Sequence, residues 1–478
     1  MPTLRGTIVD RESGAPLEAK VRVIDCQGHV RRPDGAILKV GPGPEAFYCP
    51  GEFVVDVFGG PCRITVERGT EYAPLVRDLV LPWKGKQDVT LALERWIDLP
   101  QMGWYPGNTH IHYDEKEKNP YDRLKLEPHV NDFSVTVVSI LQRWELKYAS
   151  NRFPLGMFTE YSTAHHVVDV GEESRHNFPD NSFGYGHIML FRIAEQVEPV
   201  SRGMLVNDFD PDYPPLCYAC DDARRQGGIV LWCHNGRGME APVAAALGKL
   251  DGMNLFDPYW MDPEYDLWYR MLNCGIRLPA STGSDWFVCS NNRVYVRAGD
   301  AFSYEAWLDG LRRGETFISN GPALLVTVDG VGPGATLDRR PGAKVAVQVS
   351  WRSHYPVDRV EIIRDGEVVA AEELPGGSRE GQIERGVATD TDGWIAARAS
   401  GPARDSFDQA VYAHTSPIYV NAGAPPAGRS ESARFLAESI GRSLEWVRTK
   451  GRFLTKVQRS EVADLFREGQ RIYERMAR

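Results

Sequence analysis

A chain of 478 residues is too long for one ordinary hydrophobic core and predicts about three domains. Its net charge of -10 provides no basic field for a phosphate backbone, and no apolar run approaches the roughly 18 residues of a membrane span. We therefore expect a small-molecule substrate, with neither nucleic acid nor membrane as partner. Because the first residues lack the apolar core of a signal peptide, we expect a cytoplasmic protein.

Residues 1–96 contain short alternating runs such as "AKVRVID", "GEFVVDVFGG" and "DVTLALER", separated by turns rich in Gly, Pro and Asp. This pattern predicts a small β-sandwich. The opening "GTIVDRESGAPLEAKVRVID" resembles the carboxypeptidase regulatory-like (transthyretin-like) module. Such modules are accessory, so we assign no chemistry to this region.

Residues 97–320 alternate apolar strands with helices, which favours an α/β barrel or a layered sheet. The strands include "DFSVTVVSIL", "GHIMLFRI", "GGIVLWCH" and "NNRVYVRA", and "DPEYDLWYRMLNCG" predicts a helix. Eight scattered cysteines are too few for a disulfide framework. The single pair with CxxC spacing, Cys217 and Cys220, has no second pair to complete a zinc site and is predicted to lie on a short helix.

Residues 321–425 become strand-like again. "AKVAVQVSW" alternates, and "EIIRDGEVV" predicts a hairpin that turns at Asp365 and Gly366, so a second β-sandwich is expected. Residues 426–478 predict a helical tail with an apolar stripe. That stripe must be buried either against the rest of the chain or against a second subunit, which would make a homo-oligomer through the tail.

Histidines and carboxylates collect at the ends of the apolar strands of the middle region. His110 and His112 flank one residue in an extended segment, so both imidazoles point to the same side. Four other residues also mark strand boundaries, where barrel enzymes concentrate chemistry: Glu160, His187, His234 and Asp285. A buried acid or imidazole without a partner is costly, so their joint occurrence indicates a common counter-charge.

The motifs "GNTHIH", "FTEYS", "GHIML", "VLWCHNG" and "STGSDW" resemble, in this order, the PHP (polymerase and histidinol phosphatase) superfamily, most closely its CehA/McbA branch. The resemblance implies a distorted seven-stranded (β/α) barrel with metals at the carboxyl ends of its strands. It also implies one metal on His110, His112, Glu160 and Asp285, and a second on Glu160, His187 and His234. Glu160 would then bridge two ions.

The chain also departs from this family. Full PHP phosphatases carry further histidines where this chain reads "SILQRWE" and "SDWFV", so the resemblance gives no support for a third metal or for direct transfer of phosphatase activity.

The residues and the resemblance together predict hydrolysis by metal-activated water, with two divalent ions of zinc, manganese or iron. The predicted catalytic residues are Asp285, Glu160, His234 and Arg237, of which Arg237 would stabilise an anion. The substrate would be a phosphoester, a carboxyl ester or a carbamate.

Two alternatives stay open at this point. One is a carbohydrate-active enzyme that uses Glu160 and Asp285 as its carboxylate pair. The other is a non-catalytic binding module stabilised by metal.

Overall fold

The computed structural model describes residues 1–113, 120–141, 153–178, 182–199, 211–257 and 262–478. The protein is a mixed α/β structure with 21% helix and 42% strand, built around a large curled sheet with seven helices among these residues. This agrees with the predicted α/β class, whereas the seven-stranded PHP-type barrel stays a prediction.

The amino-terminal region consists of two small sheets with a shared core. β1 pairs with β5 and β8 in one sheet, and β2 pairs with β3, β4 and β6 in the other, where β6 also pairs with β7. Alternate side chains of β6 are buried, as expected for a strand with one face on a core. The strands are β1 Thr3–Asp10, β2 Ala19–Ile24, β3 Val30–Arg31, β4 Phe47–Cys49, β5 Glu52–Asp56, β6 Gly60–Glu67, β7 Leu75–Leu81 and β8 Lys86–Leu93.

The middle region carries eleven strands and five helices among its described residues. The strands are β9 Trp104–His112, β10 Val135–Ile140, β11 Gly156–Met157, β12 Val167–Asn177, β13 Phe183–Phe191, β14 Ile229–Trp232, β15 Gly252–Asn254, β16 Ala280–Ser281, β17 Asp285–Trp286, β18 Arg293–Arg297 and β19 Thr316–Ser319. The helices are α1 Pro120–Val130, α2 Leu216–Arg225, α3 Ala241–Ala246, α4 Asp266–Asn273 and α5 Tyr304–Arg313. Cys217 and Cys220 lie on α2 as predicted, and both are buried.

The pairing of these strands brings distant segments together. β9, β10 and β12 are parallel neighbours, β12, β13 and β14 are antiparallel, and β14, β15 and β16 are parallel again. The sheet then curls back, because β17 pairs in parallel with the carboxyl end of β9. The ends of β9, β14 and β17 therefore converge beside the antiparallel pair β12 and β13.

The strands that follow are hydrogen-bonded to this sheet through the pairing of β19 with β25. The predicted hairpin between β22 and β23 is present, and Asp365 and Gly366 at its turn both have positive φ. The strands are β20 Ala323–Val328, β21 Thr336–Asp338, β22 Ala343–Arg364, β23 Glu367–Thr389, β24 Gly393–Arg404, β25 Ala410–Thr415 and β26 Ile418–Asn421. The four predicted domain ranges stay predictions.

The carboxyl-terminal tail forms two long helices, α6 Arg429–Thr449 and α7 Lys456–Met476. Their buried side chains, such as Leu436 and Phe466, join the hydrophobic core of the middle region. The Tyr473 hydroxyl donates a hydrogen bond to the Pro242 carbonyl at 2.9 Å. The chain itself therefore covers the apolar stripe, and the predicted homo-oligomer stays a prediction. No helix in the described ranges is both long and apolar enough to cross a membrane.

Candidate metal centre

Strand alternation and close backbone packing place three side chains of the centre. His110 and His112 lie on the same side of β9, are fully buried, and have their Nε2 atoms 3.2 Å apart. Asp285 pairs with Ile111 across the β17 and β9 ladder, and its φ of 58° departs from strand geometry. Its Oδ1 lies 3.5 Å from His110 Nε2 and 3.4 Å from His112 Nε2. The chain before it passes so close to β9 that a Cβ atom on Gly283 would lie 2.4 Å from the Cβ of His110. A side chain at position 283 would therefore clash with β9, so this position requires glycine.

Four ligand atoms form what we call the first ligand set: His110 Nε2, His112 Nε2, Glu173 Oε2 and Asp285 Oδ1. The five separations that the structure gives between them run from 3.0 to 3.8 Å. Ligands at roughly 2.0–2.2 Å from a tetrahedral ion would be about 3.3–3.6 Å apart, so these atoms are spaced to surround one ion.

Glu173 also belongs to a second ligand set, with His187 and His234. Its other oxygen, Oε1, lies 3.1 Å from His187 Nδ1 and 3.8 Å from His234 Nε2, and these two nitrogens are 2.8 Å apart. With three protein ligands among the described residues, a tetrahedral ion would keep one coordination position open, as in catalytic rather than structural metal sites. One carboxylate thus offers one oxygen to each set.

The structure does not bring Glu160 together with the other predicted metal ligands. Glu160 lies in a short 3-10 helix, Thr159–Tyr161, and is exposed, so it takes part in neither ligand set. Glu173 is the carboxylate that belongs to both ligand sets and would bridge two ions held there. The other five predicted metal ligands, His110, His112, His187, His234 and Asp285, are brought together as expected.

Hydrogen bonds fix which ring nitrogen each of three histidines presents. His110 Nδ1 lies 2.9 Å from Asp257 Oδ2, His234 Nδ1 lies 3.2 Å from the Asp257 carbonyl, and His187 Nε2 lies 2.9 Å from Asn177 Oδ1. A nitrogen that donates its proton to these oxygens leaves the other nitrogen with a lone pair, and in each ring that other nitrogen faces the centre. Histidines that bind metals are oriented in this way.

The carboxylates also fit a cation. Glu173 Oε1 and Asp285 Oδ1 are buried and have no hydrogen-bond donor among the described residues, which is costly unless a positive charge is nearby. Burial would raise the pKa of Glu173, but the Arg175 guanidinium and the imidazoles hold it well below its usual value. Burial raises the pKa of Asp285. Nitrogen and oxygen donors of this kind suit zinc, manganese or iron.

The two histidines of the second ligand set differ in the charge they carry. Burial lowers the pKa of His187 well below its usual value, with Arg175 acting in the same direction. Burial also opposes protonation of His234, but the Asp257 carboxylate outweighs it and raises the pKa of His234 to about 9. An ion bound by His234 must therefore displace a proton near neutral pH.

A third group, His110, Cys233 and Asp257, also has ligand atoms close together. His110 cannot present a lone pair to this group, because its Nδ1 is bound to Asp257 while its Nε2 faces the first ligand set. Burial holds the pKa of the Cys233 thiol well above its usual value. We therefore interpret this group as support for His110. Of the two stretches that lack the further family histidines, "SILQRWE" runs outside the described residues from position 142.

Arg237, the predicted anion-stabilising residue, is exposed and pairs with Glu264 at 3.2 Å. A different arginine lies beside the centre: Arg175 Nη1 is 3.4 Å from Glu173 Oε2, and its guanidinium lies 5.3 Å from the centre of the Trp286 ring. Trp286 is partly exposed and stacks on His112 at 4.7 Å.

Sequence reasoning missed Glu173, Arg175 and Asn177, which lie at every second position of β12 and therefore on one face. The segment "VVDVGEESRHN" is buried throughout although seven of its eleven residues are polar. The available signal was the run "EESRHN" of six successive polar residues directly after an apolar stretch, in which every second side chain lies on one face of a strand. Asp257 was also missed, because the segment "NLFDPYW" around it is mainly aromatic and apolar and does not indicate a polar site.

Neither the known protein-family models nor the curated protein sequences match this chain. The centre itself is therefore the basis for a function: buried His, Glu and Asp groups that could hold a metal ion.

Proposed function

We propose that this protein is a metal-dependent hydrolase of the PHP superfamily, CehA/McbA branch, that cleaves a phosphoester, a carboxyl ester or a carbamate in a small molecule. The observation that carries the proposal is the Glu173 carboxylate, whose two oxygens face two separate ligand sets. A shared carboxylate of this kind is suited to a pair of ions in a hydrolase. A single structural ion needs no such bridge, because four ligands close its site.

Two divalent ions held here would lower the pKa of a water molecule and polarise the bond to be cleaved. The chain's own groups supply the remaining steps. Asp285 would accept a proton from the attacking water, because burial raises the pKa of its carboxyl group. Arg175 lies next to Glu173 and takes the role predicted for Arg237, because a buried guanidinium binds a developing oxyanion well.

The carbohydrate-active alternative is weakened by the environments of its two carboxylates. Glu160 is exposed, whereas Asp285 lies among imidazoles within the first ligand set. A glycosidase needs both carboxylates to flank one bond.

The test is metal content per chain, measured by plasma mass spectrometry on protein purified without chelator. Wild type is expected to retain about two divalent ions, as a dinuclear centre requires. Glu173→Gln is expected to lose most of this metal, since it removes a ligand from both sets. Glu160→Gln is the matched control and is expected to keep the wild-type content.

Activity is then assayed with 4-nitrophenyl phosphate, bis(4-nitrophenyl) phosphate, 4-nitrophenyl acetate and an aryl N-methylcarbamate. We expect turnover of at least one of these that disappears in Glu173→Gln and persists in Glu160→Gln. Metal content that does not depend on Glu173 would refute the bridged centre. Two bound ions without turnover of any of these bond classes would refute the hydrolase and favour the metal-stabilised binding module.

A further inference from the structure

Asp257 is a fully buried carboxylate in the loop after β15, and it contacts ligands of both sets. Its Oδ2 accepts a hydrogen bond from His110 Nδ1 at 2.9 Å, and so orients a residue of the first ligand set. Its Oδ1 accepts from the backbone N–H of His234 at 2.7 Å, and His234 Nδ1 lies 3.2 Å from the same oxygen. One side chain therefore holds one imidazole from each ligand set.

The contact with His234 also fixes an unusual backbone conformation. His234 has a φ of 56°, in the left-handed region that non-glycine residues seldom adopt. Such a conformation persists only where the surroundings enforce it. The short hydrogen bond from the His234 N–H to Asp257 does so, and it sets the direction in which the imidazole leaves the chain.

Asp257 is itself held in place. The Asn254 side-chain amide donates to its Oδ2 at 2.9 Å, and Thr109, the neighbour of His110 on β9, donates to Asn254 Oδ1 at 3.0 Å. These bonds tie the loop after β15 to β9. Movement of Asp257 would therefore displace both imidazoles together.

We propose that Asp257 is a positioning residue that couples the two metal sites, so that removing its carboxylate weakens both ion-binding steps. The inference rests on the metal centre of the proposed function. It goes beyond that function because Asp257 belongs to neither ligand set that would hold the ions. It predicts a linked defect, whereas loss of an ordinary supporting residue would affect only one site.

Asp257→Asn is the decisive variant because it preserves the shape of the side chain. An amide has only one acceptor oxygen, and the carboxylate accepts from groups on both of its sides. If the amide NH₂ faces His110, it favours the ring tautomer that carries a proton on Nε2, which removes that ligand. If it faces His234, two N–H donors oppose each other.

The experiment is a Co²⁺ titration of chelator-treated protein, followed by the d–d absorption bands, with Zn²⁺ affinity measured by competition with a chromophoric chelator. In Asp257→Asn we expect both binding steps to weaken by about 10- to 100-fold, with changed Co²⁺ bands. The matched control is Asp251→Asn, at the other end of β15, where the carboxylate accepts from the Val230 N–H and touches no ligand. Its affinities are expected to stay within about twofold of wild type.

A defect confined to one step, or wild-type affinity, in Asp257→Asn would overturn the coupling while leaving the dinuclear centre intact. Failure of the wild type to bind ions would instead refute the proposed function. Circular dichroism of the metal-free proteins establishes folding. If Asp257→Asn does not fold, Asn254→Ala replaces it: a smaller weakening of both steps supports the coupling, and unchanged binding overturns it.

Discussion

Replacement of Gly283 by alanine perturbs the metal centre through the backbone alone. The new Cβ atom would lie 2.4 Å from the Cβ of His110 and 2.8 Å from its backbone nitrogen and oxygen. Carbon atoms pack at about 3.5–4.0 Å, so β9 and the segment before β17 must separate by roughly 1 Å. Ligands must be held within about 0.5 Å, and the first ligand set uses both of these segments.

Overpacking of this kind costs about 1–3 kcal/mol. If the metal-free protein relieves the strain by separating the two segments, metal binding must restore it. The affinity of the first ligand set then falls by about 5- to 150-fold, because a tenfold change corresponds to about 1.4 kcal/mol. His187 and His234 lie on β13 and after β14, so the second ligand set should be affected less.

The assay is the same competition titration with Zn²⁺, together with the thermal unfolding midpoint of the metal-free protein. Gly332→Ala is the control, because no atom of the described residues lies within 4 Å of a Cβ atom there and the backbone needs no positive φ. Its affinity and midpoint are expected to match wild type. Wild-type affinity at both sites in Gly283→Ala would refute the argument that contact between these segments positions His110.

Two further predictions concern charged groups. Burial raises the pKa of Glu240, which accepts from the N–H groups of Leu216 and Cys217, from 4.5 to about 7. The folded state therefore binds a proton on Glu240 more tightly than the unfolded state does. The stabilisation that this difference gives is complete below pH 4.5 and is lost as the pH rises through 7. The unfolding free energy of wild type should therefore fall relative to that of Glu240→Gln by about 2.5 kcal/mol between pH 5 and 8. Urea unfolding of the middle region at each pH measures this difference. A difference in unfolding free energy that does not change with pH would contradict the prediction. Arg175→Met should retain its metal but bind inorganic phosphate about tenfold more weakly, as measured by calorimetry. Arg237→Met should bind phosphate as wild type does. Equal effects of the two variants would show that Arg175 is not the anion contact.

The sequence by itself determined the features that depend on local pattern. The spacing of His110 and His112 placed both imidazoles on one side of a strand, because side chains alternate. The placement of His187, His234 and Asp285 at boundaries of apolar segments predicted that they would meet. The apolar stripe of residues 426–478 likewise predicted a helical tail that buries this face.

Tertiary structure alone decided which carboxylate completes the centre. Glu160 follows an apolar run, but its segment ends in an exposed 3-10 turn. Glu173 lies in the middle of β12, and only the pairing register of β12 with β13 turns it towards His187. A shift of one residue would have turned it to the opposite face.

The packing of segments that are distant in the chain also decided what Asp257 and the helical tail contact. Asp257 reaches His110 because the sheet curls back to β9, a contact between residues 147 positions apart in the chain. The sequence did not determine which surface the tail covers. The hydrogen bond from Tyr473 to Pro242 shows that this surface belongs to the chain's own middle region. Pattern in the sequence determines which face a side chain occupies within its own element, whereas the packing of elements far apart in the chain determines what that face meets.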